Sequence, residues 1–129
     1  RTELILSIEN CQIYEVREGN RYLLSSGELQ IIHSLSENIY LISIGDFSYS
    51  LFNELAVLRN HKNQYFFPSS DGFIELIFPD QTDDLEIEVF EMILQQHTTF
   101  ADIQQASEFN QPQNIALNQP QNIALIQEW

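Results

Sequence analysis

The chain has 129 residues, of which 43% are apolar, so length and composition predict one globular domain. Its formal net charge is −14, and all five basic residues precede residue 63, after which 11 acidic side chains follow without a Lys or Arg. Such a surface repels phosphate backbones and anionic headgroups, which argues against binding nucleic acid and against direct membrane binding. The acidity either keeps the domain soluble or attracts a basic protein partner.

Alternating apolar and polar side chains in the first third of the chain predict β-strands. A first strand covers Leu4–Ile8 and leads into a hairpin over residues 12–24. Glu18-Gly19-Asn20 supplies the hairpin turn, because Gly and Asn tolerate positive φ angles. Ser25-Ser26-Gly27 interrupts the pattern again, so we expect several short strands here.

The alternation continues to residue 78. Ile39–Ile44 is apolar on both faces, which predicts a central strand, and Gly45-Asp46 has the composition of a two-residue hairpin turn. Pro68 cannot donate a ladder hydrogen bond and is expected to end its strand. The remaining strands are predicted over residues 29–35, 47–51, 65–67 and 73–78, with a weaker one near residues 55–58.

One helix is predicted over residues 82–97. Asp83 has the properties of its N-cap, and the acids that follow it suit the positive end of the helix dipole. Three- and four-residue spacings predict one broad apolar face. Its expected members are Leu85, Val89, Met92 and Ile93, with Phe90 and Leu94 beside them.

The element order predicts the fold class. Hairpins without intervening helices exclude a parallel βαβ arrangement. We expect a mainly β protein, a pleckstrin-homology-like small antiparallel barrel or sandwich of about seven strands capped by one C-terminal helix. This domain is expected to cover residues 1–97.

Beyond residue 97 the composition changes. Residues 98–109 are expected to form a short helix starting near Thr99 or an extension of the domain. Residues 110–129 form an Asn/Gln-rich tail in which an octad, NQPQNIAL, occurs twice in tandem over residues 110–125. Its composition is typical of a linker, while its Ile and Leu side chains could dock on this domain or on a neighbouring copy.

No arrangement of residues predicts catalysis, so we expect no enzyme activity. Cys11 is alone and is expected to be buried, and the three histidines lack a metal-binding spacing, so neither a metal nor another cofactor is expected. The absence of a signal peptide and of a long apolar run predicts a cytoplasmic protein. The hairpin loop between Arg17 and Arg21 has too few cations to favour binding of phosphoinositides.

Five side chains are candidates for protein binding. Adjacent strand residues point to opposite faces, so one of Phe66 and Phe67 is expected in the core and the other on the surface. Phe100 and Ile103 fit an aromatic-x-x-aliphatic motif by which flexible peptides add a strand to autophagy modifier proteins. Trp129 ends the apolar tail and completes the set.

Several segments together carry a resemblance to a known family. They are Gln12-Ile13-Tyr14, the strand from Ser26 to Ile32, Ile44-Gly45-Asp46, Tyr65-Phe66-Phe67-Pro68, and the helix with Asp83-Asp84 followed by Phe90 to Leu94. Over residues 3–97 the chain resembles the central pleckstrin-like domain of the spartin and senescence-related family.

The resemblance implies a role as a ubiquitin-receptor-type adaptor in the turnover of lipid droplets or endosomal cargo. The expected partner is ubiquitin or a ubiquitin-like protein, and the expected location is cytoplasmic and peripheral to lipid droplets or endosomes. Ubiquitin presents an apolar patch ringed by basic residues, which an acidic domain with exposed aromatic side chains complements. The alternative is a scaffold domain that self-associates by binding its own or a neighbouring copy's tail.

Overall fold

The computed structural model of the protein describes residues 1–103. This part holds eight β-strands and one α-helix. They are β1 (Thr2–Arg17), β2 (Asn20–Ser34), β3 (Ile39–Ile44), β4 (Phe47–Leu51), β5 (Ala56–His61), β6 (Gln64–Ser69), β7 (Gly72–Ile77), α1 (Asp84–His97) and β8 (Thr99–Asp102). Residues 104–129, including the predicted octad tail, lie outside the described residues.

β1 and β2 form one long antiparallel hairpin. It runs from the pair of Thr2 and Ser34 to the pair of Arg17 and Asn20. The turn lies at Glu18-Gly19, where both residues have positive φ angles of 52° and 81°. The predicted turn is therefore confirmed, but the hairpin is longer than the predicted span of residues 12–24.

Bulges bend this hairpin near its middle. The register between β1 and β2 shifts between Ile8 and Cys11, and Asn10 within that shift has a φ angle of 63°. Gly27, opposite Cys11, has a φ angle of 133°, which favours glycine. An extra residue in one strand bends it without ending it. The gap between the predicted strand Leu4–Ile8 and the hairpin from residue 12, and the interruption predicted at residues 25–27, are therefore bends within continuous strands.

The bend divides one open sheet into two layers, with the strand order β4-β3-β2-β1-β7-β6-β5-β8. The first layer consists of β3, β4 and the half of the hairpin that lies away from its turn. The second layer consists of β5, β6, β7, β8 and the half of the hairpin next to its turn. Tyr49 of β4 packs edge-on against Phe67 of β6, with 5.5 Å between ring centroids. The molecule is thus a β-sandwich with one helix, which confirms the predicted mainly β fold class. The sheet does not close into a barrel.

Residues 99–102 form a strand, not the short helix that was one expectation for this segment. Thr98 ends α1 in an extended conformation, and both its N–H and its hydroxyl donate to the carbonyl of Leu94. The N–H of Thr99 then donates to the carbonyl of Leu55, and β8 pairs in parallel with β5. β-Branched threonines favour this extended path. The sheet therefore continues past residue 97.

The core lies between the layers and under α1. The helix buries Ile87, Phe90, Ile93 and Leu94. The ring of Phe90 packs edge-on against Tyr65 and Phe78, each at 5.0 Å between centroids. Burying a large apolar side chain contributes about 1.5–3 kcal/mol, so this contact holds the helix on the sheet.

The exposed side of α1 differs from the prediction. Asp83 is the N-cap as predicted, since its Oδ1 accepts from the N–H of Leu85 at 3.0 Å. Leu85 and Met92, however, are 65% and 54% exposed, whereas Ile87 is buried. The apolar residues of α1 occupy a wider arc of the helix than the sheet can bury. The sheet buries the part of this arc that is centred on Phe90, and the rest stays exposed.

Candidate protein-binding surfaces

Phe66 and Phe67 point to opposite faces of β6, as strand alternation predicts. Phe67 is 1% exposed and lies in the core, so it is not available as a contact residue. Phe66 is half-buried on the outer face, where its ring packs edge-on against Phe73 with 6.1 Å between centroids. Phe66 therefore remains a candidate.

The motif from Phe100 to Ile103 is only partly accessible. Phe100 is half-buried in β8, packs against the core and lies 6.3 Å from the ring of Tyr65. An aromatic ring held in this way is not free to enter a partner's pocket. Ile103, just after β8, is also half-buried, and Trp129 lies outside the described residues.

Two adjacent rows of side chains cover the outer face of the second layer. One row crosses β2, β1, β7, β6 and β5 and consists of Leu23, Tyr14, Glu75, Phe66 and Leu58. The other crosses β2, β1, β7 and β6 and consists of Arg21, Val16, Phe73 and Pro68. We call the seven apolar members of these rows the outer sheet face.

The outer sheet face is exposed and broad. Leu23 is 57% exposed, Phe73 52% and Leu58 37%. At about 4.8 Å between neighbouring strands, the row across five strands is about 19 Å wide. Contiguous exposed apolar surface of this kind is uncommon on monomeric proteins and is typical of interaction sites.

An ion pair between a half-exposed arginine and a buried glutamate lies within this surface. The Nε of Arg21 is 2.9 Å from Oε1 of Glu75, whose side chain is only 6% exposed. Gln64 donates to the other carboxylate oxygen, and the guanidinium of Arg21 lies 4.0 Å from the centre of the Tyr14 ring. The two charges compensate each other, so the middle of the outer sheet face carries no net charge.

The hairpin loop is a poor candidate for a phosphate site. Arg21 is paired with Glu75, and the Nε of Arg17 lies 3.3 Å from Oε1 of Glu15. The guanidinium of Arg17 also packs over Tyr22, 4.5 Å from the ring centre. Recognition of phosphates requires cations directed at the ligand, and both loop cations already face carboxylates.

A second apolar feature runs along the exposed side of α1. Leu85 and Met92 are seven residues apart and therefore lie on one side of the helix. Asp84 and Glu88 flank them and are exposed. We call these four residues the helix stripe.

A polar network holds α1 on the side where Glu91 lies, next to the acidic residues of the helix stripe. The Nη1 of Arg59 lies 3.0 Å from Oε2 of Glu91 and 3.5 Å from Oδ2 of Asp102. The hydroxyl of Tyr65 donates to the same Glu91 oxygen at 2.7 Å. Burial, and then the hydrogen bond with Glu91, raise the pKa of Tyr65, so it stays a neutral donor. The network joins β5, β6, α1 and β8 and has a structural role.

Three stacked rings hold the C-terminal end of α1. Tyr40 lies between His33 and His97, at centroid distances of 4.2 and 3.9 Å. The Nε2 of His33 lies 2.9 Å from Oδ1 of Asn38. Burial, and then the neighbouring His33, lower the pKa of His97. The helix dipole acts in the opposite direction, since it favours a charged His97.

Two types of reactive group were sought among residues 1–103, a nucleophilic thiol and a metal-binding cluster. Burial raises the pKa of Cys11 to about 12, so the thiolate, which is the nucleophilic form, is scarce at neutral pH. Among residues 1–103, no group of three or more His, Cys, Asp or Glu side chains is placed to hold a metal ion. The same part of the chain contains no helix with the length and apolarity that crossing a bilayer requires.

Neither protein-family models nor curated proteins match this chain. The two candidate surfaces are therefore identified from the geometry of this molecule alone.

Sequence reasoning missed most of the outer sheet face, although one signal was present. The alternation that places Ile74 and Leu76 in the core also places Phe73 on the opposite side of β7. Phe73 and Phe66 could thus have been paired once β6 and β7 were recognised as neighbours. The helix stripe had no such signal, because Leu85 and Met92 follow the same spacing as core residues.

Proposed function

We propose that this domain is a non-enzymatic protein-interaction module that binds ubiquitin or a ubiquitin-like protein through the outer sheet face. The observation that carries the proposal is the outward-facing cluster of Phe66, Phe73 and Leu58 on neighbouring strands, in which Phe73 and Leu58 are exposed and Phe66 is half-buried. Aromatic side chains in the centre of a broad surface are typical anchors of protein interfaces. A face about 19 Å wide suits a folded partner better than it suits a small ligand.

The charge of the chain supports a partner with basic residues around an apolar centre. The net charge of −14 attracts such a partner over long distances and repels acidic ones. The compensated pair of Arg21 and Glu75 leaves the contact area itself neutral. Apolar contact and long-range attraction therefore act together, which is the combination that the surface of ubiquitin requires.

The cellular role is proposed from the same reasoning and from the resemblance described above. A spartin-like, pleckstrin-like domain with this surface would serve as an adaptor that links ubiquitin-carrying cargo to the turnover of lipid droplets or endosomes. Its contact with membranes would be indirect, because both hairpin arginines face carboxylates.

An amide-resolved NMR titration with ubiquitin tests the proposal. The expected result is a set of saturable shifts confined to β1, β2, β5, β6 and β7 around the outer sheet face. The double variant Phe66→Ala/Phe73→Ala should raise Kd at least about tenfold, which corresponds to about 1.4 kcal/mol. Both rings face outward, so circular dichroism should show an unchanged fold.

The matched control is Leu85→Ser/Met92→Ser, which changes two exposed apolar side chains on α1 and should leave Kd unchanged. A spectrum that does not change at about 1 mM ubiquitin would exclude physiological binding. Shifts that map to α1 would show that ubiquitin binds the helix, and would overturn the proposal that it binds the outer sheet face. Deleting residues 110–129 tests the scaffold alternative, which predicts a change in oligomeric state.

A further inference from the structure

The helix stripe is a second exposed surface, and its shape differs from that of the outer sheet face. Leu85 and Met92 are separated by two helical turns, about 10.5 Å along the axis. Val89 lies between them and is half-buried, so the exposed apolar strip is only about one side chain wide. A narrow ridge of this kind fits the groove between the side-chain ridges of another helix.

The charges on α1 determine which kind of partner helix could bind there. Asp84, Glu86, Glu88 and Glu91 lie on α1, which carries no Lys or Arg. Glu91 is already paired with Arg59, while Glu88 is exposed beside the apolar strip. Lys62 reaches Asp84 at 3.0 Å, but both side chains are more than half exposed, and such a pair contributes little.

From this combination we infer that the helix stripe is the docking site for a cationic amphipathic helix of a partner protein. Leu85 and Met92 contact the apolar side of the incoming helix, and its Lys or Arg side chains face Asp84 and Glu88. The inference does not depend on ubiquitin binding, because the helix stripe shares no residue with the outer sheet face.

Acidic and neutral helices fit less well. An acidic helix would place like charges against Glu88, and a neutral one would leave the carboxylates beside the strip without partners. Anionic membranes are disfavoured for the same reason. The expected occupant is therefore a basic helix.

A fluorescently labelled amphipathic peptide of Leu and Lys, about five helical turns long, serves as the probe. Its binding to the full chain is followed by fluorescence anisotropy, with a peptide of the same pattern in Leu and Glu as the comparison. We expect saturable binding of the Leu/Lys peptide only. The double variant Leu85→Ser/Met92→Ser should weaken it at least about tenfold, and Glu88→Lys should also weaken it.

The control variant is Phe66→Ala/Phe73→Ala, which should bind the Leu/Lys peptide as the unchanged chain does. Circular dichroism confirms that each variant retains its fold. Equal affinity of the Leu85→Ser/Met92→Ser variant would overturn the inference, because the peptide would then bind only through general charge attraction. Loss of binding in the Phe66→Ala/Phe73→Ala variant would also overturn it, since the peptide would then occupy the outer sheet face.

Discussion

The hydroxyl of Tyr65 donates a hydrogen bond to Glu91 across 2.7 Å, and this bond joins β6 to the helix that covers it. Tyr65 is 0% exposed, and the side chain of Glu91 is 18% exposed. A carboxylate in such surroundings needs compensation, which Arg59 supplies from 3.0 Å. The same bond therefore orients α1 and satisfies a largely buried charge.

Replacing Tyr65 with Phe keeps the ring packing on Phe78 and Phe90 but removes the donor. Glu91 then depends on Arg59 alone, so we expect a loss of about 1–2 kcal/mol in the free energy of unfolding. Urea denaturation measures this change. Tyr22→Phe, at a side chain that is 43% exposed, is the control and should have almost no effect. Equal midpoints for both variants would show that the hydrogen bond does not stabilise the fold.

The start of α1 provides a second test. Asp83 accepts from the free N–H of Leu85, and Asp83→Ala removes that acceptor. We expect a loss of about 1 kcal/mol in the free energy of unfolding. Glu88→Ala alters an exposed acid on the same helix without touching the cap and should change stability by less than about 0.5 kcal/mol. An unchanged stability of Asp83→Ala would contradict the assignment of the N-cap.

Local chemistry explains why the fold class could be predicted. Turn residues such as Glu18-Gly19 and Gly45-Asp46 separate alternating runs, and the N-cap at Asp83 marks the start of the helix. The same reasoning divided β1 and β2 into shorter strands, because Asn10 and Gly27 are residue types that also end strands. Whether such a residue ends a strand or bends it depends on pairing with the other strand, which the local sequence does not contain.

It was harder to predict which face of a strand, or which side of the helix, is buried. Strand alternation places Phe66 and Phe67 on opposite faces, but the packing of β4 on β6 decides that Phe67 is the buried one. On α1, apolar residues occupy so wide an arc that periodicity alone could not separate Ile87 from Leu85.

Pairing between residues distant in sequence explains features that the local sequence does not predict. Glu75 would be expected on the surface from its side chain, yet it is buried because Arg21, 54 residues away, lies beside it on the sheet. Thr99 follows a helix and would continue a helical pattern, yet it pairs with β5. Each of these outcomes depends on a residue distant in sequence.

The ring stack at the end of α1 predicts a pH dependence. The folded protein lowers the pKa of His97 below its ordinary value of 6.5, so the unfolded chain takes up the proton first. This contribution to stability is fully present above the unfolded pKa and is lost as the pH falls through the folded one. We expect the free energy of unfolding, measured in urea, to decrease as the pH falls below about 7.

His97→Gln should reduce that slope, because it removes the titrating ring. NMR titration of the His97 imidazole gives its pKa directly, for comparison with the ordinary histidine value of 6.5. A pKa of His97 at or above 6.5 would show that its surroundings do not disfavour the proton.

Gly72, at the start of β7, has no room for a side chain. A Cβ placed there would lie 2.1 Å from the carbonyl oxygen of Val16, so the backbone of β1 would have to move. We expect Gly72→Ala to lower the free energy of unfolding by about 2 kcal/mol or more. Gly19→Ala separates this clash from backbone strain, because Gly19 has a φ angle of 81° but open space around it, and should cost only about 1 kcal/mol. Thermal and urea unfolding compare the two, and a Gly72→Ala variant as stable as Gly19→Ala would mean that β1 and β7 are less closely packed at this point.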